Sequence, residues 1–145
     1  MLEATCRFQS VVQKARDMGM PAVAVTDYGN MFGAIEFYFE AQKKSIKPII
    51  GLEVYIAPRG RLSKGEDPEG ARLPNRRLVL LAQNYKGYQN LCKISSVGYK
   101  EGFYYRPRID YEILEKYSED LIALSGSLMG DVPWTLQKMG KDKAV

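Results

Sequence analysis

Histidine is absent from all 145 residues. Without an imidazole there is no Ser-His-Asp or Cys-His nucleophile pair, no histidine-based zinc site, and none of the commonest general base near neutral pH. Cysteine is scarce: Cys6 and Cys92 lie far apart and form no metal-ligand pair. Long apolar runs are missing as well. Stretches such as Leu78-Val79-Leu80-Leu81-Ala82 fall far short of the roughly 20 apolar residues that span a bilayer. Met1-Leu2-Glu3-Ala4-Thr5 has neither the basic segment nor the apolar run of a secretory signal. The expectation is a soluble, reduced, cytoplasmic protein with no membrane partner. Any catalysis would rest on carboxylates, lysine, tyrosine or the two cysteines.

What is present suits one globular domain, with 46% hydrophobic and 26% charged residues. The 21 basic residues exceed the 17 acidic ones by four, an excess compatible with nucleic-acid contact without demanding it. Phe8, Val11, Val12, Ala15 and Met18 recur at helical spacing, and Gly19 and Pro21 stop that helix. The run 22–26 predicts a buried strand and Asn30 an N-cap. Phe32, Ile35 and Phe39 then supply the core face of a second helix reaching about Lys44. Further strands are expected at 48–56, 77–82 and 121–124. Tyr88, Leu91, Cys92, Ser95 and Tyr99 mark a third helix, Asp110 caps a short fourth, and a last helix starts near Asp131. Residues 58–76, rich in glycine, proline and mixed charge, predict a mobile loop whose arginines are solvated. Helix–strand alternation with continuously apolar strands implies an α/β fold with parallel strands. Only four strands are readable, and a closed (β/α) barrel takes about 250 residues, so a piece of something larger is expected.

Chemistry in such folds gathers at the carboxyl ends of strands. Asp27 and Glu53 fall there and could take a hard cation, although a turn-capping aspartate and a strand-end glutamate are the plainer readings. The loop Ser125–Gly130 has neither the glycine spacing nor the Lys-Ser/Thr of a phosphate loop, and reads as a tight turn. In Gly102–Arg108, rings and arginines interleave. Tyr104, Tyr105, Arg106 and Arg108 either meet nucleic acid, by stacking and phosphate contact, or pack an ordinary loop.

The run Gly19-Met20-Pro21-Ala22-Val23-Ala24-Val25-Thr26-Asp27-Tyr28-Gly29-Asn30-Met31-Phe32-Gly33 resembles the segment after the first helix of the PHP (polymerase and histidinol phosphatase) domain family. Its nearest form is that of bacterial DNA polymerase III alpha subunits. The likeness continues through Ile46–Tyr55, Leu78–Ala82, Gly87–Leu91, Glu101–Tyr105 and Leu124–Val132. It implies a distorted, TIM-barrel-like (β/α) barrel, of which residues 1–145 would be a part, holding up to three ions of zinc, manganese or magnesium at its strand ends. The first-strand His-x-His would precede Met1 and the closing Asp-x-His would follow Val145. Carried across, the ligand positions fall at Glu3, which keeps a charge; at Tyr28, Arg77 and Ser127, which replace two histidines and a cysteine; and at Glu53, which matches.

The resemblance therefore implies a vestigial site that binds no metal, with no catalytic residue in this stretch and Arg77 paired to Glu53 or Asp27. The parent would be a DNA-directed DNA polymerase, a magnesium-dependent nucleotidyltransferase of DNA replication. Partners would be the remainder of the alpha subunit, a proofreading exonuclease subunit, and DNA through the parent. The alternatives are a stand-alone PHP phosphoesterase, which the lack of histidine disfavours, and a gene remnant. Unpaired sheet edges would leave such a piece marginally stable or self-associating.

Overall fold

The computed structural model describes residues 6–64 and 74–143. In chain order it holds α1 (Phe8–Asp17), β1 (Ala22–Tyr28), α2 (Ala34–Lys43), β2 (Lys47–Ile56) and β3 (Arg76–Ala82). These are followed by α3 (Tyr85–Lys100), β4 (Arg108–Ile109), α4 (Tyr111–Lys116), β5 (Leu121–Leu124), α5 (Asp131–Met139) and a short 3₁₀ turn. No helix among the described residues is long and apolar enough to cross a membrane.

The strands form one mixed sheet in the order β1-β2-β3-β5, with β4 added to β2. β1 and β2 run parallel, joined through α2, and β4 is parallel to β2. The expectation of parallel strands throughout fails at β3 and β5, which run antiparallel to their neighbours. Ile56 pairs directly with Arg76, so β2 and β3 meet at the same end of the sheet and the chain returns without a crossover. A strand buried on one face reads much the same in either direction, which is why composition did not reveal it. Residues 65–73 of the expected loop lie outside the described residues.

Pairing assigns every side chain to a face. Val23, Val25, Ile50, Leu52, Val54, Ile56, Leu78 and Leu80 share the face that the helices cover. Val12, Phe37 and Ala41 of α1 and α2 close over one part of it. Leu91, Ile94, Ile109 and Ile113 close over the other. The opposite face carries Thr26, Tyr28, Ile49, Gly51, Glu53, Tyr55, Arg77, Val79, Ile122 and Leu124. No helix contributes to that side of the core among the described residues.

Capping explains three of the helix bounds. Gly19, at φ +69°, ends α1 where the Met20 N–H bonds Ala15 O at 2.9 Å. The Asn84 side chain accepts from Gly87 N–H at 3.1 Å and starts α3. Asp110 does the same for α4 from Ile113 N–H at 3.2 Å, as the sequence predicts. Two expectations about the core are corrected. In α2 the buried residues are Ala34, Phe37 and Ala41, while Phe32, Ile35 and Phe39 are exposed. The helix carries two apolar stripes at compatible spacing, and the slimmer one seats against α1 and β2. Met18 is likewise exposed, because α1 has ended before it.

The arginines assigned to a solvated loop do not all remain in solvent. The side chain of Arg61 is only 13% exposed and meets Glu101, Asp110 and Glu112. Arg76 belongs to β3, is 4% exposed, and lies 3.3 Å from the Trp134 ring centroid and 3.4 Å from Asp131. Asp131 also accepts from the Tyr111 hydroxyl, so this cluster ties α5 and α4 to the sheet.

Candidate functional site at the strand ends

On the uncovered face, register brings three of the sequence-predicted positions together. Tyr28 lies opposite Glu53, and Arg77 lies opposite Tyr55, two residues further along the same side of β2. An Arg77 Nη1 to Glu53 Oε1 distance of 3.5 Å makes the ion pair; their side chains are 26% and 13% exposed. The Arg77 guanidinium stands 4.9 Å from the Tyr28 ring centroid and 5.7 Å from that of Tyr55, within cation–π range. Of the two partners open to Arg77, Glu53 is the one it meets. Asp27 faces the other way, its Oδ2 accepting from Gly33 N–H at 3.0 Å just ahead of α2, the turn-and-cap role expected of it.

A loop from the far end of α3 completes the cluster. Arg106 donates to the Tyr55 hydroxyl at 2.7 Å, and its guanidinium lies 5.1 Å from the same ring. The loop bends sharply here, with Tyr105 at φ +60° and a bridge in which Tyr104 N–H bonds Arg106 O at 3.1 Å. It lies against the end of β1: a Cβ on Gly29, at φ +68°, would stand 2.6 Å from Pro107 Cγ and 3.3 Å from the Tyr55 ring. No larger residue fits that approach.

Ser127 sits in an exposed turn beside this group. Its carbonyl accepts from Gly130 N–H at 2.7 Å, and the same turn reaches β3 where Arg77 N–H bonds Met129 O at 2.9 Å. Glu3 lies outside the described residues. Of the four residues singled out for nucleic-acid contact, Tyr105 and Arg106 are exposed and Tyr104 is half-buried. Arg108 is buried and turned inward, donating to the carbonyls of Gly102, Arg61 and Ser63 at 2.8–3.0 Å. Tyr55 also belongs to the cluster. The alternation of β2, which puts residues 53 and 55 on one side, is the signal that points to it.

The electrostatics follow from these contacts. The Asp110 carboxyl is pushed up by burial, but donors from Arg61 N–H, Ile113 N–H and the Arg61 guanidinium outweigh that and hold it below its ordinary range. Burial, reinforced by Asp131, raises the Tyr111 phenol. Among the described residues no three His, Cys, Asp or Glu side chains converge as a metal cage would require.

A profile of the PHP domain matches residues 1–145. The DNA polymerase III subunit alpha of Chlamydia trachomatis is 48% identical over 132 residues, which cover 91% of this chain and 10% of that one. That of Borreliella burgdorferi is 47% identical over 133 residues, 92% of this chain and 11% of its own. That of Treponema pallidum is 42% identical over 144 residues, 99% and 12% respectively. The chain thus spans about a tenth of the length of these relatives. It belongs to the PHP domain family.

Proposed function

We propose that this chain serves as the PHP region of a bacterial DNA polymerase III alpha subunit, bracing the polymerase and offering a docking surface, with a metal site that no longer works. The parent would be a DNA-directed DNA polymerase, a nucleotidyltransferase acting in DNA replication in the cytoplasm. It would join deoxynucleotides with magnesium at carboxylates outside these residues. Its partners would be the rest of the alpha subunit, a proofreading exonuclease subunit, and the DNA. The relatives, alpha subunits at 42–48% identity, support the parentage.

The observation that carries the non-catalytic role is the Arg77–Glu53 pair at 3.5 Å. Glu53 is the one ligand position in the cluster that keeps a carboxylate, and a fixed positive charge faces it. A cation placed roughly 4 Å from that guanidinium would meet several kcal/mol of repulsion at an effective dielectric near 20. Tyr28 and Ser127 add only hydroxyls, poor ligands for a borderline divalent ion. The residues present do not fit a divalent metal. The exposed Tyr105 and Arg106, with Tyr104 beside them, remain the place where the domain would touch nucleic acid.

Calorimetric titration with zinc, manganese and magnesium tests this reading. No binding tighter than micromolar is expected. Tighter binding that disappears in Glu53→Ala, or chelator-sensitive cleavage of a phosphate ester by the purified chain, would overturn it.

A further inference from the structure

Helix α2 carries a second apolar stripe that the core does not use. At about 100° per residue, Ile35, Glu36, Phe39 and Lys43 fall within one arc of about 100°, opposite the buried Ala34, Phe37 and Ala41. Phe32, in the turn ahead of the helix, leads into the stripe. Its ring centroid lies 6.4 Å from that of Tyr99 near the end of α3, and Tyr99 lies 6.1 Å from Phe103, so the stripe runs on into a row of rings. Phe32 is 83% exposed, and Ile35, Phe39, Tyr99 and Phe103 are 41–60% exposed. A large aromatic side chain presents about 150–250 Å², so the patch amounts to about 500 Å² of apolar surface, toward the upper end for a soluble monomer.

The charges on the stripe identify its occupant. Glu36 stands in the first turn of α2 and Lys43 in the last, both exposed. Positions 36 and 43 are equidistant from the midpoint of Phe39 and Glu40, and they carry opposite signs. A second α2 laid antiparallel across a twofold axis at that midpoint would set Glu36 of each copy against Lys43 of the other, with Phe39 facing its own counterpart at the centre. Lys43 also pairs with Glu40 on its own helix at 2.6 Å, yet its side chain is 65% exposed and an ammonium has three donors, so one pair does not exhaust it. Self-complementarity of this kind is what an isologous contact requires and a heterologous partner does not. The area agrees: about 500 Å² from each copy gives about 1,000 Å², the size at which specific, reversible interfaces begin.

We propose that the outer face of α2 is a self-association surface, which takes a second copy of this chain packed antiparallel about that twofold axis. It does not depend on the state of the metal site.

The test is sedimentation equilibrium of the 145-residue chain across a concentration series at low ionic strength. The average mass should rise with concentration toward that of a dimer. Glu36→Lys alone and Lys43→Glu alone each set like charges against one another, and each should weaken association about tenfold or more. The two single variants mixed in equal amounts should associate more strongly than either by itself, because each supplies the charge that the other lacks. Carried together in one chain, the two substitutions should restore the parent's affinity. Phe39→Ser should abolish the dimer with unchanged circular dichroism, since that side chain is exposed in the monomer. A monomer at every concentration overturns the proposal and leaves the face to a different occupant, such as the remainder of a parent subunit. Association that neither Glu36→Lys nor Phe39→Ser weakens overturns it as well, and puts the contact on the open strand edges. So does a mixture of the single variants that associates no better than its components.

Discussion

Replacing Arg61 with alanine removes one guanidinium that three carboxylates share. Nε lies 2.7 Å from Glu101, and Nη1 lies 3.0 Å from both Asp110 and Glu112. These partners do not count equally. Glu101 and Glu112 are 45% and 74% exposed, so water competes and each pair contributes at most about 1 kcal/mol. Asp110 is only 14% exposed, and losing a charge-assisted bond to such a group costs about 1.5–3 kcal/mol. Alanine keeps the backbone N–H of residue 61, which donates to Asp110 Oδ2 at 2.9 Å, so the carboxylate is not stripped bare. The sum is about 2–4 kcal/mol. At a urea dependence of roughly 2 kcal/mol per molar, the midpoint should fall by about 1–2 M with an unchanged slope.

Most of that loss falls on Asp110, and a double-mutant cycle separates the contributions. Arg61→Ala combined with Asp110→Asn should show a coupling of about 1.5 kcal/mol, and Arg61→Ala with Glu112→Gln a coupling below about 0.5 kcal/mol. Equal couplings, or a midpoint for Arg61→Ala within error of the parent, would refute the idea that this hub pins the loop after β2 to α4.

Two further outcomes follow from the same geometry. Because the folded Asp110 carboxyl sits below its ordinary value of 3.8, its contribution to stability is complete above that pH and drains away as pH falls further. Denaturation midpoints measured down a series from pH 5 should drop, and the drop should flatten in Asp110→Asn; a slope unchanged by that substitution refutes the assignment. At Gly87, a Cβ would stand 2.2 Å from the Asp120 carbonyl oxygen, so Gly87→Ala should cost about 1–3 kcal/mol despite alanine's better helix propensity. Thermal melting that is level with or above the parent would show that the α3–β5 approach is looser than described.

Legibility in the sequence followed what each element needed. Strand β2 and the α4 cap at Asp110 stand where the residues place them, since an apolar run and a capping carboxylate act locally. The buried stripe of α2 was not legible, because Phe32, Ile35 and Phe39 satisfy helical spacing as well as Ala34, Phe37 and Ala41 do. What decides between them is the close packing of α1, a non-local fact. The direction of β3 and the two-residue strand β4 depend on pairing partners far along the chain. The Arg61 hub joins residues about 40 to 51 positions apart, and no local pattern announces it.

The candidate site shows how a core can set the charge of a surface. Arg76 and Arg77 are adjacent and chemically identical, yet one is buried against Trp134 and the other faces Glu53. Their fates are fixed by Leu78 and Leu80, which pair with Val54 and Leu52 and must lie on the helix-covered side. Alternation then sends Arg77 and Val79 to the open face and Arg76 to the covered one. A slip of one residue in β3 would turn Leu78 and Leu80 outward and push Arg77 into the core, so the apolar pairs that hold the register also hold the guanidinium over Glu53. The positive charge at the strand ends is thus tied to the packing that makes the domain fold. Changing Arg77 alone alters the site, whereas no repacking of Leu78 or Leu80 that keeps the register can move the charge away.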